Sequence, residues 1–235
     1  VMVSKWQQDL KGMWGTWLFV TTGCYGLFLA SFIFADADYP KDLFYLNELF
    51  MIPLVTLVTV LVFQKEFGGY FSEVFATFPL KMWEVIVRKF TLLVVLLISI
   101  HLLWVGLYWL KFGQLQTVTY DYANHEMSYK TLNWLELFSQ SLPSYLFVAA
   151  ITVVGLVFSK KVYGGLGAGF GLWMLEVLTG GGFLGRWTLF TIYIPTEGTF
   201  TENRVSLIVI TVLLGIISVL WAERRGKWVT NEDMY

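Results

Sequence analysis

The chain has 235 residues, 57% of them hydrophobic and only 14% charged, with a mean hydropathy of +0.64. A soluble domain carries about 25% charged residues, so there is too little charge here for a water-facing surface, and the composition is that of a membrane protein. The net charge of −1, with no basic stripe or tail, excludes a nucleic-acid binder, and Cys24, the lone cysteine, excludes an intrachain disulfide.

Residues 1–13 open the chain with Val3, Trp6, Leu10 and Met13 at a helical spacing that Trp17 continues, while Lys5, Gln8, Asp9 and Lys11 take the other face. That pattern predicts an amphipathic helix lying in the membrane interface; the alternative is an extension of the first span. The basic start, short apolar core and small-residue cleavage site of a signal peptide are not read here.

Six apolar stretches then follow, at 14–35, 43–63, 90–110, 142–158, 162–182 and 205–222. A bilayer core needs roughly 20 mostly apolar residues per helix, and each stretch meets or approaches that length. The second is interrupted by Asn47, Glu48 and Pro53, and Pro53 predicts a kink. The fourth is short, and 134–141 extends it. Six spans put both termini on one side, and eleven of the sixteen Lys and Arg residues then fall on that side. The positive-inside rule makes it the cytoplasm. The expected fold is an all-α membrane protein forming one transmembrane domain over 1–235, with residues 64–89 as a cytoplasmic segment between spans two and three.

Within 64–89, Phe67, Phe71, Val74, Phe75 and Phe78 form one helical stripe, with Glu66, Ser72, Glu73 and Thr77 off it. Pro79 ends that helix because it lacks an N–H and clashes with the preceding turn. Met82, Val85 and Ile86 begin a second stripe, and Arg88 and Lys89 mark re-entry into the membrane. An amphipathic loop without further role has the same pattern.

The arrangement Glu66, Gly69, Glu73, Ala76–Thr77, Pro79 and Lys89 resembles the cytoplasmic segment of type-2 ATP-binding-cassette (ABC) transporter permeases. That family commonly shows a Glu, a Gly, a second Glu six residues before a Pro, and a Lys ten residues after it. Glu73, Pro79 and Lys89 have those separations. The chain departs from the pattern by one extra residue between Gly69 and Glu73, and by Phe78 between Thr77 and Pro79.

The resemblance implies a six-span exporter-type subunit in the cell membrane, paired with a second permease copy. Its coupling helix would dock into separate cytoplasmic ATPase subunits through Glu66, Phe71, Glu73, Phe75, Phe78 and Pro79. ATP and Mg would be bound by those partners and no cofactor by this chain, which has no Gly-x-x-x-x-Gly-Lys-Ser/Thr loop.

The fifth stretch carries Gly165, Gly167, Gly169 and Gly171, small residues that let helices approach closely in lipid. The resemblance places a permease–permease contact there; packing within one subunit is the alternative. Gly180–Gly182 loosen the outer end of this stretch, and the resemblance places short re-entrant helices in 183–201.

Intramembrane ionisable groups face protein or water because lipid exposure is costly. Glu48 and Glu176 are the candidates for a translocation path, His101 reads as a hydrogen-bonded core histidine, and Glu136 as a solvated interface residue. No metal-site spacing occurs, and His125-Glu126 lacks a second histidine. The expected function is therefore an exporter permease for an amphiphilic or peptide-like cargo. An intramembrane enzyme and an ion-coupled transporter or channel are the alternatives.

Overall fold

The computed structural model describes residues 2–36, 42–67, 81–121, 126–194 and 199–223. A short helix α1 (Met2–Gly12) precedes α2 (Thr16–Ile33). A π-helical turn (Tyr45–Phe50) then leads directly into α3 (Met51–Phe67). Next come α4 (Met82–Phe112), a hairpin of β1 (Gln116–Asp121) and β2 (Glu126–Thr131), and α5 (Trp134–Ser159). Helix α6 (Val162–Leu178), two single 3-10 turns (Gly185–Trp187 and Thr191–Tyr193) and α7 (Thr199–Ala222) complete the order.

Among the described residues, five helical segments are long and apolar enough to cross a membrane: Thr16–Ile33, Tyr45–Phe67, Met82–Phe112, Trp134–Ser159 and Thr199–Ala222. That is the pattern of a multi-pass helical membrane protein. Helix α6 is equally apolar but has 17 residues, fewer than the expected 162–182. It stops at Leu178 because Gly180 and Gly181 turn left-handed, with φ of 58° and 79°, a conformation glycine adopts without steric cost.

Other boundaries also differ from the sequence pattern. Helix α4 begins eight residues before the expected span and runs unbroken for 31 residues, about 46 Å at 1.5 Å per residue. Residues 82–89, assigned from sequence to the cytoplasmic segment, are its first two turns. It stops at Gly113, whose φ of 72° places it in the left-handed region. Helix α5 starts at Trp134 because Asn133 and Glu136 form a capping box. Glu136 is thus a cap, not merely a solvated carboxylate.

Helix α3 is the most buried of the five long segments, in contact with α2, α4, α5 and α6. Pro53 has no N–H for the carbonyl of Leu49 four residues back, and the wider π turn lies immediately before it, at Tyr45–Phe50. Phe28 and Phe32 of α2 meet Trp104 and Tyr108 of α4, with ring centroids 5.8 and 6.0 Å apart. Lys111 closes the same seam by donating to the carbonyls of Phe32 (2.9 Å), Ile33 (2.6 Å) and Ala35, which are exposed acceptors at the end of α2.

The hairpin is the only β-sheet among the described residues, with Gln116 opposite Thr131 and Asp121 opposite Glu126. It marks one end of the bundle, the hairpin end; α1 marks the other.

Candidate functional site

At the α1 end, two adjacent residues of α4 make two different ion pairs. Met82, Val85 and Ile86 are buried, and Lys89 falls on their helical stripe. Its apolar stem therefore packs inward, and its ammonium lies 2.6 Å from Glu66 Oε2 at the end of α3. Lys89 is 1% and Glu66 5% exposed, and Lys89 Nζ also donates to the Val62 carbonyl at 2.6 Å. Arg88, about 100° around the helix, reaches α1 instead: its Nε lies 2.5 Å from Asp9 Oδ2 and its Nη2 3.2 Å from Asp9 Oδ1. Asp9 is accordingly buried, although periodicity placed it on the polar face.

Glu66 was expected on an outward docking surface. It is turned inward instead, because a carboxylate at the end of a buried helix finds its counter-ion within the chain. Phe71, Glu73, Phe75, Phe78 and Pro79 lie outside the described residues. What the structure does give is the fastening of the segment that contains them: Glu66 precedes it, Lys89 follows it, and the two are joined.

At the hairpin end, Glu48 and Glu176 hold down one irregular stretch. Glu176 Oε1 accepts from the Leu184 N–H at 2.6 Å and Oε2 from the Thr188 hydroxyl at 2.9 Å. Glu48 accepts from the Thr191 N–H at 2.8 and 2.9 Å and from the Thr191 hydroxyl at 2.5 Å. Asn203 Nδ2 donates to the carbonyls of Arg186 (2.8 Å) and Thr188 (3.2 Å), and the Ser144 hydroxyl to that of Leu189 at 3.0 Å. Residues 183–194 are thereby tied to α3's leading turn, α5, α6 and α7. The two carboxylates expected to line a path are sealed beneath this stretch, with Glu176 0% exposed.

Sequence reasoning missed Arg204, which the positive-inside count placed in a loop. Helix α7 begins at Thr199, so Arg204 lies inside it, buried. Its Nη1 donates to the Ser144 hydroxyl and its guanidinium stands 5.3 Å from the Phe200 ring centroid. Its Nε and Nη2 have no hydrogen-bond partner among the described residues. Deeper in the bundle, Tyr145 donates to Asn47 Oδ1 and its oxygen lies 3.5 Å from His101 Nδ1. His101 is ringed by Trp104, Phe138 and Tyr145, the environment of a core histidine.

The glycines divide into two sets. A Cβ on Gly169 would lie 2.5 Å from both Thr56 Oγ1 and Thr152 Oγ1, and one on Gly165 would run into the Leu156 side chain. These two glycines admit α3 and α5 against α6 within the chain. Gly167 and Gly171 have nothing within 4 Å and lie on the open face, so only they are left for a contact with another subunit.

Chemically, these groups hold and position neighbouring segments. Among the described residues, no group of three or more His, Cys, Asp or Glu is placed to hold a metal ion. No protein-family model, curated protein or solved structure matches the chain.

Proposed function

We propose that the chain is the transmembrane permease subunit of an ATP-driven ABC exporter, with α6 as its fifth span and both termini cytoplasmic. The observation that carries this reading is the Glu66–Lys89 ion pair at 2.6 Å. It joins the first and last residues of the motif that resembles the permease coupling segment, so the end of α3 and the second turn of α4 are tied together on either side of that segment. A force applied to that segment reaches α3 and α4 together, and through Arg88 and Asp9 also α1. The motor is a separate ATPase subunit that binds ATP and Mg. Closure of two such subunits supplies the differential affinity that a conformational shift needs. A second permease copy packs on the face of α6 bearing Gly167 and Gly171, and the cargo is amphiphilic or peptide-like.

The test is to purify the chain with its neighbouring ATPase in a bilayer mimic and compare ATP turnover for wild type and Glu73→Arg. The permease is expected to bind the ATPase and change its turnover, and Glu73→Arg to loosen the complex with the helices still folded. Absence of any associated ATPase would overturn the reading. A second reading, an ion-coupled transporter, is favoured by the buried run of His101, Tyr145 and Asn47. It requires transport that collapses with the ion gradient and ignores ATP.

A further inference from the structure

We infer that a cleft between the 3-10 turn Gly185–Trp187 and the first turns of α7 seats a zwitterionic phospholipid, phosphatidylethanolamine, with its phosphate at Arg186 and its ammonium at Glu202. The cleft measures about 410 Å³, within the roughly 300–1,000 Å³ of small-molecule sites. Its lining changes character along α7. Glu202, Asn203 and Ser206 line it near the start of the helix, together with Arg186 and Trp187 of the turn, and Val209 and Ile210 line its far end. Ile210 lies about 12 Å beyond Glu202 along the helix axis, and Val209 is exposed. Polar groups at one end and apolar groups at the other match the two parts of an amphiphile. Helix α7 is long and apolar enough to cross a membrane, so the apolar end meets acyl chains.

The polar end carries one charge of each sign. Arg186 and Glu202 are both exposed, and the Arg186 guanidinium stands 5.1 Å from the Trp187 ring centroid. Among the described residues neither enters an ion pair, so a cation and a carboxylate share the cleft without neutralising each other. Arg204, the neighbouring cation on α7, is buried and donates to Ser144 instead. Asn203 supplies a further acceptor. It is 3% exposed, its Nδ2 donates to the Arg186 and Thr188 carbonyls, and its Oδ1 has no partner among the described residues.

These groups select the headgroup. A guanidinium fits phosphate oxygens, and a primary ammonium has three donors and no acceptor, which suits a carboxylate beside an unused amide oxygen. An anionic headgroup would meet Glu202 with like charge, and a trimethylated one has no N–H to donate. The site is also held in shape before any lipid arrives, which lowers the cost of binding. The Asn203 bonds fix the turn that carries Arg186, and Glu176 holds its two flanks at Leu184 and Thr188. The inference rests on the membrane location of α7 and not on the permease reading.

The experiment places the full chain in nanodiscs containing phosphatidylethanolamine, phosphatidylcholine or phosphatidylglycerol with a photoreactive acyl chain, and maps the cross-links by peptide mass spectrometry. In wild type, cross-links within 205–210 are expected to be strongest with phosphatidylethanolamine. Glu202→Gln should lower its preference over phosphatidylglycerol about threefold, the scale of one exposed ion pair. Arg186→Gln should weaken capture of all three lipids, which share the phosphate. Both variants should leave cross-links to the exposed face of α2 unchanged, an internal measure that the chain is folded and embedded. Equal cross-linking of the three headgroups at 205–210, a preference for phosphatidylglycerol, or a preference that survives Glu202→Gln overturns the inference. So does competition by glycerophosphoethanolamine, which lacks acyl chains, as effective as that by the whole lipid; the cleft would then hold a small polar solute.

Discussion

Lys89 Nζ of α4 and Glu66 Oε2 of α3 lie 2.6 Å apart with almost no solvent around either. Removing one partner of a buried pair leaves an uncompensated charge and costs about 3–5 kcal/mol, whereas apolar residues in both places can be neutral. Lys89→Met is therefore expected to lower stability by several kcal/mol, and Glu66→Leu combined with Lys89→Met to recover most of it. Denaturant unfolding in detergent micelles measures both. A double variant as unstable as the single one would show that the pair is not isolated from other groups.

The Arg88–Asp9 pair holds α1 to α4 from the other side of the same turn. Asp9→Asn keeps the size of the side chain and removes the charge. A spin label at Lys5, an exposed position of α1, is expected to gain mobility in this variant, while the global unfolding midpoint moves little. Unchanged label mobility would mean that the apolar face of α1 alone fixes it.

Glu176 and Glu48 clamp the stretch 183–194 through backbone N–H groups. Glu176→Ala strips the Leu184 N–H and the Thr188 hydroxyl of their acceptor, at about 1–3 kcal/mol for an unsatisfied buried group. Hydrogen exchange at the Leu184 amide should accelerate in Glu176→Ala, and at the Thr191 amide in Glu48→Ala. Equal protection in wild type and variants would make packing, not the carboxylates, the clamp.

Gly169 and Gly167 are two residues apart in α6 and have opposite surroundings. Gly169→Leu forces side-chain atoms against Thr56 and Thr152, and overpacking of this kind costs about 1–3 kcal/mol. A Cβ at Gly167 meets nothing within 4 Å, and Gly167→Leu should leave unfolding of the monomer unchanged. If α6 forms the contact between subunits, Gly167→Leu will lower the dimer fraction in light scattering.

The amino-acid sequence was enough to establish the membrane class, because 14% charge cannot coat a soluble surface, and it located the long apolar segments, because hydropathy needs only local composition. It also singled out Glu48, Glu66 and Glu176, since a carboxylate in or beside an apolar run is conspicuous. Their partners were not legible. Glu48 meets Thr191, 143 positions away, and Asp9 meets Arg88, 79 positions away, contacts that no periodicity encodes. The hidden place of Arg204 depended on α7 starting at Thr199. The capping box of Asn133 and Glu136 was written in local sequence, but it lay beside a hairpin whose existence was not anticipated. Which glycines pack inward was decided by the close approach of α3, α5 and α6. A helix presents small residues on several faces at once, and only the neighbouring helices determine which face is used.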